Sequence, residues 1–271
     1  MKSSLKLKTS LAAVAMLTSA SAFAVPLTGA AVSGYATGYS VSGTTLTGTV
    51  YSSGLSGATL SNLLTGNAAS PTGDVELGRG GVAGAVLTGL YDGHTVTLSS
   101  LNYTDWSTTG LAQRYITAAA TSIGSTLSSA QLAAATSIFL GSGVSTTTTP
   151  NPWQFVSDPN VAYANVTLGI LSIGLAGYFD ATPVLAGLFP GQTVPAGSQA
   201  SEVVKVSIDG GAARYLFSFA ATNSGLTGPQ GSLTGNYEVT TNIPEPSSVA
   251  LIGLGLVGLV ATRRRKAKQA A

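Results

Sequence analysis

The stretch AVLTGLYDGHTVTLSSL, residues 85–101, decides the fold expected for this chain. Asp92 and Gly93 separate two runs in which apolar and polar residues alternate. A two-residue hairpin turn needs positive φ at its central positions, and Asp-Gly is among the pairs that adopt it most readily. The stretch therefore predicts an antiparallel β-hairpin.

Segments on both sides of this hairpin carry the same alternating pattern. Between residues 32 and 60, glycines interrupt short runs, and Tyr35, Thr37, Tyr39 and Val41 would share one face of a strand. Residues 203–208 alternate in the same way. Several short strands with turn signals predict a mainly β fold, an antiparallel β-sandwich-like exported domain.

A helical pattern interrupts the strands in the middle of the chain. Apolar residues follow helical spacing near 110–122 and 129–140, which predicts a short two-helix insert. Ser128 and Gln131 form a capping-box pattern, and Gly141 predicts the end of the second helix. The polar, proline-ended stretch at 144–152 is a possible boundary between two parts of the exported domain.

The N-terminal residues have the order of parts found in a secretory signal peptide. Lys2, Lys6 and Lys8 precede an apolar run at 11–17, and Ala22-Phe23-Ala24 forms a small-residue cleavage signature. We therefore predict a signal peptide at residues 1–24, cut by signal peptidase between Ala24 and Val25. The exported domain would then comprise residues 25–242.

The C-terminal residues 243–271 combine a proline motif, an apolar run and a cluster of cations. Pro244, Glu245 and Pro246 should be extended, because the prolines lack a backbone donor and disfavour helix in the residue before each. Residues 249–261 are all apolar or glycine, and a membrane segment at about 247–262 is shorter than the roughly 20 residues of an ordinary span. The cations that follow would stay in the cytoplasm, which leaves the domain outside: Arg263, Arg264 and Arg265.

This order of features resembles the PEP-CTERM sorting signal of bacterial exported proteins. The resemblance implies that an inner-membrane exosortase recognises the motif and removes the tail. It also implies export by a bacterium of Gram-negative type, a transient inner-membrane anchor, and then release to the cell surface or extracellular matrix. The alternative is an ordinary tail anchor preceded by a chance Pro-Glu-Pro. The resemblance implies nothing about the activity of the domain.

Charge and composition limit the partners of the exported domain. The full chain has a net charge of +2, but residues 25–243 contain four cationic and nine acidic side chains, a net charge of −5. Nucleic-acid binding draws on clustered Lys and Arg, so we expect no nucleic-acid partner. Without cysteine and with one histidine, the chain cannot form a usual zinc site, and we predict no cofactor. Calcium remains an open alternative, with oxygen ligands in predicted loops: Asp92, Asp105, Asp158, Asn160 and Asp180.

The sequence offers few groups for acid or base catalysis. His94 is the one histidine and lies beside the predicted turn, where an inert, exposed side chain is expected. A catalytic function would require His94 to share a cleft with groups such as Asp92 and Asp105. We therefore predict that the protein is not an enzyme.

Three functions remain for the exported domain. The first is a structural protein of the cell surface or extracellular matrix. The second is a carbohydrate-binding module for exopolysaccharide, which predicts exposed aromatic rings such as Trp106 and Trp153. The third is a polysaccharide hydrolase, which needs two carboxylates at glycosidase separation, and the sequence pattern proposes no such pair.

Overall fold

The computed structural model describes residues 24–52, 54–78, 84–141, 151–188, 193–229, 231 and 233–244. The strands, in chain order, are β1 Val25–Pro26, β2 Thr28–Ser33, β3 Ala36–Ser42, β4 Thr45–Tyr51, β5 Leu55–Ser56, β6 Gly66–Asn67, β7 Ser70–Pro71, β8 Gly73–Leu77, β9 Val86–Tyr91, β10 His94–Ser99, β11 Asn160–Thr167, β12 Ile170–Tyr178, β13 Val204–Ile208, β14 Arg214–Leu216, β15 Thr222–Thr227 and β16 Leu233–Asn242. The α-helices are α1 Gly57–Leu63, α2 Tyr103–Thr108, α3 Leu111–Ser122, α4 Ser129–Leu140 and α5 Thr182–Leu188, and Pro152–Val156 forms a 3₁₀ helix.

The larger sheet closes on itself. Its strand order is β1-β11-β12-β16-β15-β4-β3-β8, and β8 pairs a second time with β11. Every pairing in it is antiparallel except the short contact of β15 with β4, at Thr227 and Thr45. The sheet is therefore barrel-like. β1 pairs with the C-terminal end of β11, at Asn165 and Val166.

The second sheet contains the predicted hairpin. Its order is β14-β13-β10-β9-β2-β5, and β9 pairs with β10 from His94 opposite Tyr91 to Ser99 opposite Val86. Asp92 and Gly93 have φ values of 48° and 81°, as the two-residue turn requires. The hairpin prediction is confirmed.

One apolar core joins the two sheets. Val32, Leu87 and Val96 of the second sheet contribute to the same buried cluster as Ile173 and Leu175 of the larger sheet. Mainly β, antiparallel architecture is confirmed. The sandwich prediction did not include closure of one sheet, because alternation indicates which face of a strand is buried but not which strand pairs with which.

The helical insert is larger than predicted. α3 and α4 coincide with the expected helices, Ser128 and Gln131 form the capping box, and Gly141 ends α4 with φ 75°. A third helix, α2, precedes them, and was missed because six residues are too few to show helical periodicity. The insert therefore has three helices rather than two.

Aromatic side chains from the three helices of this insert pack against one another. Trp106 of α2, Tyr115 of α3 and Phe139 of α4 form a buried cluster, and the rings of Trp106 and Phe139 lie 4.9 Å apart. The insert thus has an apolar core of its own beside the shared core.

Several predictions concern residues outside the described ranges. The signal peptide apart from Ala24, the tail beyond Pro244 and most of the 144–152 stretch belong to this group. Strands from both sides of that stretch, β8 and β11, pair in one sheet. Within the described ranges, no helix combines the length and apolar character needed to cross a membrane.

A carboxylate pocket as candidate functional site

Strand register brings five polar side chains to one face of the larger sheet. On β3 and β8, Tyr39 lies opposite Asp74 and Thr37 lies opposite Glu76. On β11, Asn160 also pairs with Glu76. Directly paired residues point to the same face, so these side chains lie together, opposite the face that Val75 and Leu77 bury in the core.

Loop residues add two further carboxyl groups to this cluster. Glu202, just before β13, accepts hydrogen bonds from the Asn160 backbone N–H at 2.7 Å and from its side-chain amide at 3.2 Å. Asp158 precedes β11 and is close enough to Glu202 to disfavour its charged form. Tyr39 donates a hydrogen bond from its hydroxyl to Glu76 at 3.0 Å. We call Asp74, Glu76, Asp158 and Glu202 the carboxyl cluster.

A cavity of about 240 Å³ opens onto this cluster. The sheet contributes one wall, and the helical insert and the 3₁₀ helix contribute another, with Tyr115 and Val156. Phe155 and Tyr178 line the cavity while remaining 56% and 47% exposed, so both rings reach solvent. Its other lining residues are Tyr39, Leu46, Asp74, Asn160, Ala176, Gly177, Ala181, Leu185, Ala200, Glu202, Gly228, Pro229 and Thr234.

Burial and like charges raise the pKa of two members of the carboxyl cluster, Asp74 and Glu202. Burial, assisted by the negative charge of Glu76, raises the pKa of Asp74 to about 8. Burial also raises the pKa of Glu202 well above its usual range, and the charge of Asp158 acts in the same direction. At neutral pH Asp74 is therefore largely a carboxylic acid, which can both donate and accept hydrogen bonds.

Asp74 is the buried acid of the cluster that faces the cavity. Its side chain is 3% exposed and lines the cavity, yet no hydrogen bond to its carboxyl group comes from the described residues. A buried carboxyl group that faces a cavity is the kind of group that a ligand can hydrogen-bond.

The calcium alternative is only partly reflected in the structure. Asp158 and Asn160 do lie together in the carboxyl cluster. Asp180, in contrast, accepts a hydrogen bond from the Thr182 N–H at the start of α5, Asp92 lies in the exposed hairpin turn, and Asp105 caps α2. Among the described residues, no three carboxylate or histidine side chains are arranged to hold a metal ion.

The other candidate residues lie away from the pocket. His94 contacts Asp209, with 2.6 Å between Nδ1 and Oδ2, and Asp105 accepts a hydrogen bond from Lys205 at 2.8 Å. None of Asp92, His94 and Asp105 lines the cavity. The structure does not bring these three together in the cleft that catalysis by His94 would need.

Both tryptophans are buried, so the carbohydrate-binding alternative loses the exposed tryptophan rings that it predicted. Trp106 is 1% and Trp153 is 8% exposed. Trp106 donates its indole N–H to the Ser157 hydroxyl at 2.8 Å. Tryptophan carries enough apolar surface for core packing to decide its position.

Sequence reasoning missed Asp74 and Glu76 as site residues. They stand two apart in β8 and alternate with Val75 and Leu77, a pattern that places both acids on one face. That signal was available in the sequence. Their meeting with Asn160 and Glu202 was not, because it depends on long-range strand pairing.

The last strand leads directly into the C-terminal motif. β16 ends at Asn242, and the Ile243 N–H donates to the Gly169 carbonyl at 2.7 Å. Residues 242–266 match the model described as PEP-CTERM protein-sorting motif. The chain carries a PEP-CTERM sorting motif. This motif supports exosortase-dependent sorting of an exported protein to the cell envelope or surface.

The match covers the tail and the last residue of β16, not the domain. Neither the comparison with curated proteins nor the comparison with solved structures found a match. Pro244 is described, whereas the other predicted sorting residues lie outside the described ranges: Glu245, Pro246, Arg263, Arg264 and Arg265. Of the predicted cleavage residues, Ala22 lies outside them too, while Ala24 and Val25 are described.

Proposed function

We propose that this chain is a non-catalytic protein of the cell surface or extracellular matrix, anchored in the inner membrane by its tail until exosortase releases it. The PEP-CTERM motif at residues 242–266 supports the sorting step. The arrangement of β16 supports the release step.

The position of β16 is the observation that carries this proposal. β16 lies between β12 and β15 and pairs with β12 from Tyr178 to Ile170. The sorting motif begins at the end of this strand, so a cut beyond Pro244 would remove no strand of the domain. The processed domain would keep every hydrogen bond of its sheet.

Mass spectrometry of surface and membrane fractions tests the proposal. We expect the surface form to lack peptides beyond Pro246, and cells without exosortase to retain the full chain in the membrane. Replacing Pro244, Glu245 and Pro246 by Ala should have the same effect as loss of the enzyme. The matched control, Ser247→Ala with Ser248→Ala, should be processed normally. A surface form that still contains Arg263 would contradict the proposal.

A second candidate function is saccharide binding in the carboxylate pocket. Exposed aromatic rings beside buried hydrogen-bonding groups suit a ring with polar edges and apolar faces, as in a sugar. Phe155 and Tyr178 would stack on the sugar ring, as the carbohydrate-binding alternative expected of the tryptophans. Asp74, Asn160 and Glu202 would form hydrogen bonds with the sugar hydroxyl groups.

Binding of the exopolysaccharide from the native matrix, measured by affinity electrophoresis, tests this candidate. Phe155→Ala and Tyr178→Ala should each reduce the retardation of the protein. We expect the dissociation constant derived from it to rise about tenfold, which corresponds to a loss of about 1.4 kcal/mol of binding free energy. Tyr103→Ala is the matched control, because Tyr103 is 45% exposed but does not line the cavity. Equal effects of all three changes would contradict saccharide binding at this pocket. Release of reducing ends from the polymer would instead indicate a hydrolase and contradict the non-catalytic proposal.

A further inference from the structure

Both ends of the exported domain leave the fold beside one β-turn. Val25, the first residue after the predicted signal-peptide cleavage, pairs with Val166 near the end of β11. The turn at Leu168 and Gly169 follows, and Gly169 accepts the hydrogen bond from Ile243. The start of the domain and the start of the sorting tail therefore lie at the same end of the larger sheet.

Three apolar side chains at this end are exposed. Leu168 is 80% exposed, Ile170 is 44% exposed and Val25 is 43% exposed. We call these three residues the exit patch. Ile170 pairs with both Thr167 and Asn242, so it stands beside the last residue of β16.

Leu168 is an unusual residue for its position. Its φ is 50°, a left-handed conformation that non-glycine residues adopt only with strain. Asn or Gly would fit this turn with less strain. A leucine that is both strained and solvated gains nothing for folding, which indicates a contact made outside the isolated domain.

The length of the tail limits how far this end lies from the membrane. Pro244 to Ser248, five residues, separate Ile243 from the apolar run that begins at Val249. Fully extended, they span about 18 Å. The headgroup layer takes up about 5 to 8 Å of this distance. The turn that holds Ile243 therefore stays within roughly 10 to 13 Å of the lipid surface while the tail is anchored.

A cation lies at the same end. Arg214 donates to the carbonyl oxygen of Asn242 at 2.9 Å and also contacts the Thr241 hydroxyl. Arg214 is exposed, so its charge is available to anionic phosphate groups. Apolar side chains with a flanking cation match the chemistry of a lipid headgroup surface.

We propose that the exit patch docks on the phospholipid surface of the membrane while the uncut tail anchors the protein. This inference rests on the tail anchor of the proposed function. Docking would hold Ile243 and the adjoining Pro244 at the membrane surface, at the height of an enzyme embedded in the same membrane. After tail removal the contact is weak, because three side chains bury little apolar area, and the domain leaves.

Fluorescence quenching on the full chain tests the docking. The chain has no cysteine, so Leu168→Cys introduces a single site for a polarity-sensitive dye. The matched control is Leu233→Cys, which is 53% exposed at the other end of β16. Nine residue steps along the strand place it about 30 Å from Asn242. Both variants would be placed in vesicles of phosphatidylethanolamine and phosphatidylglycerol that carry a headgroup quencher.

We expect the quencher to remove most of the fluorescence at position 168 and little of it at position 233. Equal quenching at the two positions would overturn the docking proposal. Carbonate extraction of the same vesicles separates the two levels of inference. If the chain stays in the membrane but position 168 remains unquenched, docking alone is wrong, whereas extraction of the chain would overturn the anchor and the docking together. If the dye at position 168 enters an apolar environment only after exosortase is added, the exit patch binds the enzyme instead of lipid.

Discussion

Replacing Asp74 by Asn should stabilise the protein at alkaline pH and leave its stability nearly unchanged at pH 4. The carboxyl group is 3% exposed, and burial raises its pKa from 3.8 to about 8. Between these values the folded state holds a proton that the unfolded state has lost. The free energy of unfolding of the wild type therefore falls as the pH rises through this window, and it falls no further above pH 8.

The size of the effect follows from the shift. At about 1.4 kcal/mol per pKa unit, the interval from 3.8 to about 8 corresponds to roughly 6 kcal/mol. The cavity beside Asp74 is large enough for water molecules that would hydrate part of the charged group, so we expect about half of this, about 3 kcal/mol. Asn has the shape of the protonated acid and carries no charge at any pH, which spares the variant this loss.

Urea unfolding at pH 4 and at pH 8.5, followed by the fluorescence of the buried Trp106 and Trp153, measures the difference. With a slope of about 2 kcal/mol per molar urea, the midpoint of the variant should rise by about 1.5 M at pH 8.5 and by little at pH 4. The matched control is Asp92→Asn in the exposed hairpin turn, where Asn also accepts the positive φ. Equal midpoints for wild type and variant at pH 8.5, or one constant difference at both pH values, would refute the reasoning.

Three further changes test the packing and capping of the fold by thermal or urea unfolding. Gly174→Ala should destabilise the protein by about 1 to 3 kcal/mol, because the new Cβ would overlap the Tyr163 ring; a neutral effect would show that the ring is free to move. Burial acts to raise the pKa of Asp105, but hydrogen bonds, including one from Lys205, lower it overall. Asp105→Asn should therefore cost about 2 kcal/mol at pH 7 and progressively less as the pH falls below 4; a constant cost would contradict the ionic contribution. Ser128→Ala should cost about 1 kcal/mol through loss of the α4 cap, and an equal cost for Ser129→Ala would exclude a capping effect.

The elements that sequence reasoning predicted well depend on local interactions. The Asp92-Gly93 hairpin requires two neighbouring residues with positive φ, and α4 begins at a capping box formed within four residues. Such signals are complete within a short segment. The six-residue α2 has its own capping box, at Asn102 and Asp105, but lacks the length that makes periodicity visible.

The pocket could not be predicted to the same extent. Tyr39, Asp74 and Asn160 lie far apart in the chain, and β3, β8 and β11 bring them together through two sets of strand pairs. A shift of one residue in either pairing would turn Asp74 or Asn160 toward the opposite face. The burial of Trp106 also depends on distant parts of the chain, since its indole N–H donates to the Ser157 hydroxyl.

The sequence by itself determined that this protein carries a sorting motif, since a processing enzyme reads such a motif along an extended segment of chain. It also determined the β-rich composition and the acidic domain that remains between the two ends. The tertiary structure alone decided that the larger sheet closes, that carboxyl groups from β8 and a distant loop share one cavity, and that both ends leave beside Leu168. Local geometry is encoded residue by residue, whereas these features arise from strand order and register, which depend on contacts between distant parts of the chain.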